Sequence, residues 1–317
     1  MNNENILPEI SIVIPFYNEG ESVHKAYLQI EEEMAKHKDS YEIIFVDDGS
    51  IDDSFTHLEK IAQNDKNIKA IKLSSNCGSH IAIRAGLSFA KGKCACFIAC
   101  DMQEPPHLIY TMKSELSEKY NIVWAVRNSR KDSLSTILFA KLFYYLARKI
   151  VTNNIPPSGA SMFMVSHKVL KALNKYEERN LTLEGLFATM GFKSKNIFYD
   201  RKERISGKSK WTISKKFKLF IDFFVAYSNT PIRFVSVMGI AFSVIGFMWS
   251  FYIIIRELIY NDLSSGWPAL ISILLIGFGI TNISLGIIAE YLWRTLDEAR
   301  KRPKYIIEES INIIELN

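Results

Sequence analysis

The sequence predicts an α/β fold with a mostly parallel sheet, followed by two membrane-spanning helices. Two observations predict the first part: five apolar, β-branched runs lie in the first half of the chain, and amphipathic helical stretches separate them. Nearly continuous apolar strands are typical of a parallel sheet with helices on both faces. The third observation is a pair of long uncharged segments near the C-terminal end, which predicts the membrane part.

The predicted strands and helices alternate along the chain. The strands are expected at 10–15, 42–47, 68–73, 94–100 and 121–126, and the helices near 20–37, 53–63, 79–91 and 107–119. Ligands of such sheets bind at the carboxyl ends of the strands. Polar sequence follows every predicted strand: PFYNE, DDGSIDDS, SSNCGSH, DMQEPP and RNSR. The pattern therefore predicts an extended site formed by several loops, and the absence of GxGxxG and GxxxxGK[ST] excludes the two common nucleotide-binding loops.

Residues 234–255 and 269–289 contain no charged side chain, and each segment is long enough for a helix that crosses a bilayer. A pair of buried core helices is the alternative, but soluble helices normally keep a polar face and these segments have none. The short link NDLSSGWP (261–268) carries one Asp and neither Lys nor Arg. Basic residues lie on both outer flanks: Arg204, Lys208, Lys210, Lys215, Lys216 and Lys218 before the segments, and Arg294, Arg300, Lys301, Arg302 and Lys304 after them. The positive-inside rule then predicts that both flanks are cytoplasmic.

Four parts of the chain follow from this pattern. They are a cytoplasmic α/β domain (1–210), an interfacial amphipathic helix (211–230), two spans (231–293) and a basic cytoplasmic tail (294–317). A second amphipathic segment, 134–151, is either a core helix or a further helix resting on the bilayer. The N-terminal sequence MNNENILPE is polar and acidic, so no signal peptide is expected.

The net charge limits the classes of binding partner that are expected, and the cysteine content indicates a reducing environment. A net charge of +5 is too small to argue for nucleic acid, and no nucleic-acid partner is expected. The four cysteines match neither a zinc motif nor a secreted disulfide framework. They are expected to be reduced and buried.

Several motifs together resemble the family 2 glycosyltransferases of the GT-A fold: VIPFYNE, FVDDGSIDDS, the N-x-G-x-x-x-A-x-x-x-G spacing that begins at Asn76 and continues to Gly92, and DMQEPP. RNSRKDS, RKERISGKSKW and the two C-terminal spans resemble more narrowly the polyprenyl-phosphate glycosyltransferases, similar to dolichol-phosphate mannose synthase and bactoprenol glucosyltransferase. The resemblance implies an inverting enzyme that transfers a hexose from a UDP- or GDP-sugar to polyprenyl phosphate at the cytoplasmic membrane face. Two alternatives stay open: a family 2 transferase with another envelope or polysaccharide acceptor, and a degenerate membrane-bound scaffold that binds nucleotide sugars. Paired hairpins are a possible basis for a homo-oligomer.

The resemblance also implies a nucleotide-sugar site in the loops after the first three strands. Tyr17 would stack on the base, Asp48 would accept a hydrogen bond from the imide N–H of the base, and Asp47 would support it or contact the ribose. The full set implied for the donor is Pro15, Tyr17, Glu19, Asp47, Asp48, Asn76 and Gly78.

A divalent metal, Mg²⁺ or Mn²⁺, is implied after the fourth strand, with Asp101 and Gln103 as ligands. Relatives commonly carry a further Asp at the position of Ala99, which is a departure of this chain. Such ions need only one or two carboxylates when water and substrate phosphates supply the other oxygens. The ion is therefore expected to arrive with the nucleotide sugar, and a metal-free site is the alternative.

The acceptor phosphate is expected to be bound by basic residues: Arg127, Arg130, Arg204 and Lys210. Ser161 stands where the family often has an acid. A hydroxyl acceptor needs a general base to take its proton. A phosphate is already largely ionised near neutral pH, so the missing acid favours a phosphate acceptor.

Overall fold

The computed structural model describes residues 7–128, 134–176, 178, 182–200, 213–260 and 266–313. The chain forms two compact units, Met1–Thr212 with Pro303–Asn317, and Ile213–Arg302. The first unit contains the strands β1 (Ile10–Phe16), β2 (Tyr41–Asp47), β3 (Ile68–Leu73), β4 (Cys94–Phe97), β5 (Ile122–Arg127), β6 (Met162–Ser166), β7 (Ser194–Tyr199) and β8 (Ile307–Ile311). Its helices are α1 (Ser22–Met34), α2 (Ser54–Asn64), α3 (Ser79–Phe89), α4 (Leu108–Glu115), α5 (Leu134–Ile150), α6 (His167–Leu173) and α7 (Leu183–Thr189).

The described strands form one eight-stranded sheet in the order β7-β5-β6-β4-β1-β2-β3-β8. Neighbouring strands are parallel except where β6 pairs with β4 and β5, and where β8 pairs with β3. The predicted mostly parallel sheet is therefore confirmed, and the predicted strands and helices match the observed ones within a few residues. The antiparallel β6, inserted between β4 and β5, was not predicted.

The fourth strand is shorter than the predicted 94–100. Its ladder with β1 ends at Phe97, although the amide of Ile98 still donates to the carbonyl oxygen of Val13 at 3.0 Å. The chain then turns: the amide of Met102 donates to the carbonyl oxygen of Ala99 at 3.1 Å, and Met102 has a φ of 48°. The turn contains Asp101 and leads directly into Gln103 and Glu104.

Both faces of the sheet are apolar, which explains the uninterrupted hydrophobic strands. Along β1, Ile12 and Ile14 pack with α1 and α2, whereas Val13 packs on the opposite face with residues of α3. Helix α3 lies very close to that face, because a Cβ added at Gly86 would stand 2.4 Å from Cγ1 of Val13. The small residues in the Asn76–Gly92 motif therefore have a packing function.

The C-terminal segment differs from the predicted tail. Residues 307–311 form the edge strand β8, antiparallel to β3, and Lys72 of β3 pairs with Glu308 at 3.4 Å and Glu309 at 3.2 Å. The amide of Ser74 donates to the carbonyl oxygen of Ile306 at 2.9 Å. The short sequence IEESI has little strand signal of its own, and its conformation depends on pairing with a strand far away in the sequence. The chain on both sides of the second unit therefore belongs to the same sheet-containing unit.

The second unit consists of α8 (Ile213–Tyr227), α9 (Thr230–Tyr260) and α10 (Trp267–Ala299). Two segments, Thr230–Trp249 and Ile276–Ala299, are long and apolar enough to cross a membrane, and neither is buried in the protein. At one end of the unit, Arg294 of α10 donates to a carboxylate oxygen of Asp222 on α8 at 2.8 Å. The hydroxyl of Tyr291 donates to the carbonyl oxygen of Ser228 at 2.9 Å. The two predicted apolar helices are thus present.

Replacing Asn312 by Ala is expected to destabilise the first unit. The Asn312 side-chain amide donates to the carbonyl oxygens of Ala62 at 2.6 Å and Ile68 at 2.8 Å, and its φ of 59° is unfavourable for Ala. Loss of these bonds together with backbone strain should lower the free energy of unfolding by about 2 kcal/mol. Thermal unfolding of the purified full-length protein in detergent measures the change. Asn64→Ala, which removes an exposed amide bonded only within its own helix, is the matched control and should shift the midpoint little. Equal midpoints for the two variants would contradict the role of Asn312.

Candidate functional site

The loops after β1 and β2 are joined by hydrogen bonds. The backbone amide of Asn18 donates to Oγ of Ser50 at 2.9 Å. Oγ of Ser54, at the start of α2, accepts from the amides of Glu19 at 3.0 Å and Gly20 at 2.7 Å. The two loops therefore form one rigid ledge at the carboxyl edge of the sheet. Along this ledge lie three of the predicted donor residues, all partly exposed: Pro15, Tyr17 and Glu19.

Asp48 fixes the loop after β3. Its two carboxylate oxygens accept from the amides of Cys77 at 2.7 Å and Gly78 at 2.9 Å. Burial raises the pKa of the Asp48 carboxyl, while the two backbone amides act in the opposite direction. Asp48, Asn76 and Gly78, all predicted in one site, are thus brought together. The described contacts of Asp48 are with the protein backbone, and its contact with the base stays a prediction.

Glycine is required where the loops after β2 and β3 approach each other. Gly49 has a φ of 71°, and a Cβ at this position would stand 2.6 Å from the carbonyl carbon of Ser75. Gly78 has a φ of 93°, a conformation that residues with a Cβ rarely adopt. The two glycines allow the backbone of the third loop to be held against the second.

Asp47 lies beneath these loops and is fully buried. Its Oδ1 accepts from the amide of Ser50 at 2.8 Å, whereas Oδ2 accepts no hydrogen bond from the described residues. Burial raises the pKa of the Asp47 carboxyl, and the nearby charge of Lys72 partly offsets this. A buried acceptor without a donor destabilises a fold by about 1–3 kcal/mol, so a donor group that reached Oδ2 would be bound favourably.

The turn after β4 carries the predicted metal ligands. Asp101 is partly exposed, and its Oδ1 accepts weakly from the amide of Gln103 at 3.4 Å. The Gln103 side chain is buried, and its Nε2 has no hydrogen-bond partner among the described residues. A carboxylate and an amide oxygen are donors that suit Mg²⁺ or Mn²⁺. Within the described ranges no group of three or more His, Cys, Asp or Glu side chains could hold a metal ion, so this donor set fits only an ion that takes further oxygens from a ligand.

A buried polar cluster behind this turn holds Arg127 at the end of β5. Nη2 of Arg127 lies 3.8 Å from Oε1 of Glu104, and its Nε donates to Oγ of Ser161. The hydroxyl of Tyr199 donates to the same Glu104 oxygen at 3.2 Å. Burial raises the pKa of Tyr199, and the Glu104 carboxylate raises it further. The guanidinium is thus oriented by one carboxylate and by the neutral hydroxyl of Ser161.

Two members of this cluster, Glu104 and Tyr199, were not predicted. Glu104 follows Gln103 within DMQEPP and is almost completely buried, whereas Asp101 of the same motif is partly exposed. Tyr199 ends β7, a strand absent from the prediction, so no signal near it indicated a site. The predicted residues Arg130, Arg204 and Lys210 lie outside the described residues.

The chain is similar to known proteins over nearly its whole length. The model of Glycosyl transferase family 2 matches residues 11–173. An uncharacterized glycosyltransferase of Bacillus subtilis, YkcC, is 36% identical over 96% of this chain and 95% of its own length. A prophage bactoprenol glucosyl transferase homolog of Escherichia coli is 30% identical over 95% of this chain and 98% of its own length. An undecaprenyl-phosphate 4-deoxy-4-formamido-L-arabinose transferase of Proteus mirabilis is 29% identical over 96% of this chain and 94% of its own length.

Replacing Asp47 by Asn is expected to stabilise the protein at neutral pH. Because burial raises the folded-state pKa of Asp47, the wild type loses stability as the pH rises through that pKa, and Asn avoids this loss. The advantage of the variant should shrink as the pH falls toward the ordinary Asp pKa of about 3.9, where the wild-type side chain is protonated too. Thermal unfolding midpoints across this pH range measure the difference.

The matched control is Asp53→Asn, which changes an exposed acid that makes no cap bond to its helix. It should show no such pH-dependent gain. A midpoint of Asp47→Asn below that of the wild type at neutral pH would mean that the carboxylate makes a net favourable interaction, contrary to expectation.

Proposed function

Since this chain belongs to glycosyl transferase family 2, we propose that it transfers a hexose from a nucleotide diphosphate sugar, a UDP- or GDP-sugar, to the phosphate of a polyprenyl phosphate. The observation that carries the proposal is the environment of Arg127. Its guanidinium is oriented at the carboxyl edge of the sheet by Glu104 and by the neutral Ser161. A cation held in this way suits a phosphate, and the absence of an acid at position 161 suits an acceptor that needs no general base.

The relatives support the choice of acceptor. The Escherichia coli and Proteus mirabilis proteins are named for bactoprenol and for undecaprenyl phosphate. Their similarity covers at least 95% of this chain, so it includes the unit with the two candidate spans. A long polyprenyl chain is insoluble in water, and a transferase with two apolar helices meets such a substrate in the bilayer.

The donor would bind on the ledge formed by the loops after β1 and β2, together with the adjoining loop after β3. Asp48 holds the Cys77–Gly78 backbone in place before the ligand arrives, which reduces the entropy that binding would cost. Tyr17 would stack on the base, and Asn76 and Gly78 would line the same site. Asp47, whose Oδ2 accepts no described hydrogen bond, is a better acceptor for a ligand donor than Asp48.

Asp101 and Gln103 would hold Mg²⁺ or Mn²⁺ together with the diphosphate, and the bound ion would neutralise charge on the departing nucleoside diphosphate. Asp101 is the one carboxylate among the proposed ligands, and the described residues contain no group of three or more metal-binding side chains; this supports binding of the ion with the nucleotide sugar rather than before it. One oxygen of the lipid phosphate would attack the anomeric carbon as the bond to the diphosphate breaks. A single displacement of this kind inverts the configuration. Arg127 would orient the attacking phosphate, with Arg130, Arg204 and Lys210 as further cations.

The two candidate spans would form a hairpin with the catalytic unit on the cytoplasmic face. The chain before and after the spans contributes to one sheet, so both connections must lie on the same side of a membrane. Lysines and arginines on these connections favour the cytoplasmic side. Exposed apolar side chains on α9 and α10 would also allow the hairpins of several copies to associate.

A transfer assay tests the function. Purified protein in detergent is incubated with undecaprenyl phosphate, Mn²⁺ or Mg²⁺, and radiolabelled UDP-glucose, UDP-N-acetylglucosamine or GDP-mannose in turn. One donor should give label in the organic phase, and EDTA should abolish it. If each donor binds but none gives a lipid product, the protein is instead the nucleotide-sugar-binding scaffold that Ala99 suggests. Label on a water-soluble or polysaccharide acceptor would identify a different family 2 transferase.

Asp101→Ala is expected to reduce transfer by about 100-fold or more, because the diphosphate loses its metal-mediated charge stabilisation. The initial rate of organic-phase labelling measures the effect. Glu118→Ala removes an exposed acid between α4 and β5, outside the loops assigned to the site, and should keep the wild-type rate. Retained transfer in Asp101→Ala would remove the metal assignment while leaving the function in place.

Arg127→Lys is expected to raise KM for undecaprenyl phosphate by about tenfold, the effect of losing one charge-assisted hydrogen bond, with KM for the donor nearly unchanged. Lysine keeps the positive charge beside the buried Glu104 and so limits loss of stability. Steady-state kinetics with each substrate varied in turn measures both constants. A larger effect on the donor than on the acceptor would place Arg127 at the diphosphate instead.

A further inference from the structure

Helix α5 presents an apolar stripe to the outside of the first unit. Leu138, Leu142 and Tyr145 lie on one helical face and are exposed by 70%, 53% and 61%. The opposite face is directed inward, since Ala147 is fully buried. Part of the surface of a soluble helix is normally apolar, but three large side chains in one exposed row are unusual and indicate contact with an apolar phase.

Three cations border this stripe. Lys141, Arg148 and Lys149 line a groove of about 620 Å³, together with Tyr145, Asn153 and Pro157. Lys149 lies 6.0 Å from the centre of the Tyr145 ring. Among the residues that the structure describes, no carboxylate forms an ion pair with any of the three cations. Within the described part of the chain, the groove therefore places three cations without a carboxylate partner beside an apolar surface.

We propose that this groove binds the headgroup of an anionic phospholipid of the bilayer. The three cations would contact the phosphate and its neighbouring groups, Asn153 would supply a further polar contact, and the Leu138–Leu142 stripe would lie among the acyl chains. These residues are distinct from those assigned to the acceptor phosphate. The proposal depends on the membrane attachment proposed above, but it does not depend on the transfer reaction.

Two features favour a lipid over a soluble phosphate. A soluble anion would contact the cations but not the apolar stripe next to them, whereas a phospholipid has both a charged head and apolar tails. The unit is also joined to the candidate spans through both of its connections, so a membrane surface is always within reach. Each cation near an anionic membrane surface adds to the attraction, and three in one groove act together.

Hydrogen–deuterium exchange of the full-length protein in nanodiscs tests the proposal without any substrate. One set of nanodiscs contains phosphatidylcholine alone, and the other also contains phosphatidylglycerol. Backbone amides in 151–157, the loop that closes the groove, should exchange about fivefold more slowly with phosphatidylglycerol, roughly the effect expected for one cation at an anionic surface. The triple variant Lys141→Gln, Arg148→Gln, Lys149→Gln should lose this protection.

A variant of equal charge change, Lys168→Gln, Lys171→Gln, Lys175→Gln, alters three exposed lysines elsewhere and should keep the protection. Unchanged exchange in β1 to β3 shows that each variant is folded. If the triple variant fails to fold, Lys141→Gln alone replaces it and should lose part of the protection. Equal exchange in the two nanodisc types would overturn the proposal, as would loss of protection in the control variant. The same protection from millimolar inorganic phosphate in phosphatidylcholine nanodiscs would show a soluble-anion site and also overturn it.

Discussion

The loop after β3 is held from two sides, and much of the molecule depends on this constraint. On one side, the Asp48 carboxylate accepts from the amides of Cys77 and Gly78. On the other side, the amide of Ser74 donates to the carbonyl oxygen of Ile306, in the segment that follows the candidate spans. The same short loop therefore belongs to the proposed donor site and contacts the C-terminal segment of the first unit.

This arrangement costs folding free energy, and the cost arises at two residues of the proposed site. Asp47 and Asp48 are buried side by side, and burial raises the pKa of both carboxyls. Adjacent buried acids are unfavourable for folding alone, because each charge is removed from water and repels the other. Such strain is typical of positions that a ligand later stabilises. The cost is offset by backbone donors from Ser50, Cys77 and Gly78, which are available only when all three loops have their native conformation.

Strands and loops whose structure depends on local sequence could be predicted. Strands and side-chain contacts that depend on residues far away in the chain could not. The apolar runs predicted β1 to β5, and the polar residues after them predicted one site formed by several loops, because parallel strands place their carboxyl ends on one edge. The family resemblance assigned Asp48, Asn76 and Gly78 to that site, and the structure brings them close together. Strand β8 was missed because its conformation depends on the free edge of β3. The contact of Asp48 with backbone amides was missed for a related reason: a carboxylate looks the same in a sequence whether it accepts from a ligand or from the main chain.

Positions 99 and 161, where the resemblance to family 2 glycosyltransferases implies an acid, carry Ala and Ser, and the two residues have a common electrostatic consequence. At the end of β5, Ser161 accepts from Arg127 without neutralising it, so Glu104 is the one carboxylate paired with that guanidinium among the described residues. At the end of β4, Ala99 leaves Asp101 and Gln103 as the oxygen donors of the turn. Neither Ala99 nor Ser161 adds negative charge to a site whose two proposed substrates are anions. A diphosphate and a phosphomonoester repel each other as they approach, and a site with fewer carboxylates reduces that repulsion at the cost of weaker binding of a metal ion alone. Ala99 and Ser161 therefore have the same effect: the site has little negative charge of its own, and its bound substrates supply most of the anionic oxygens.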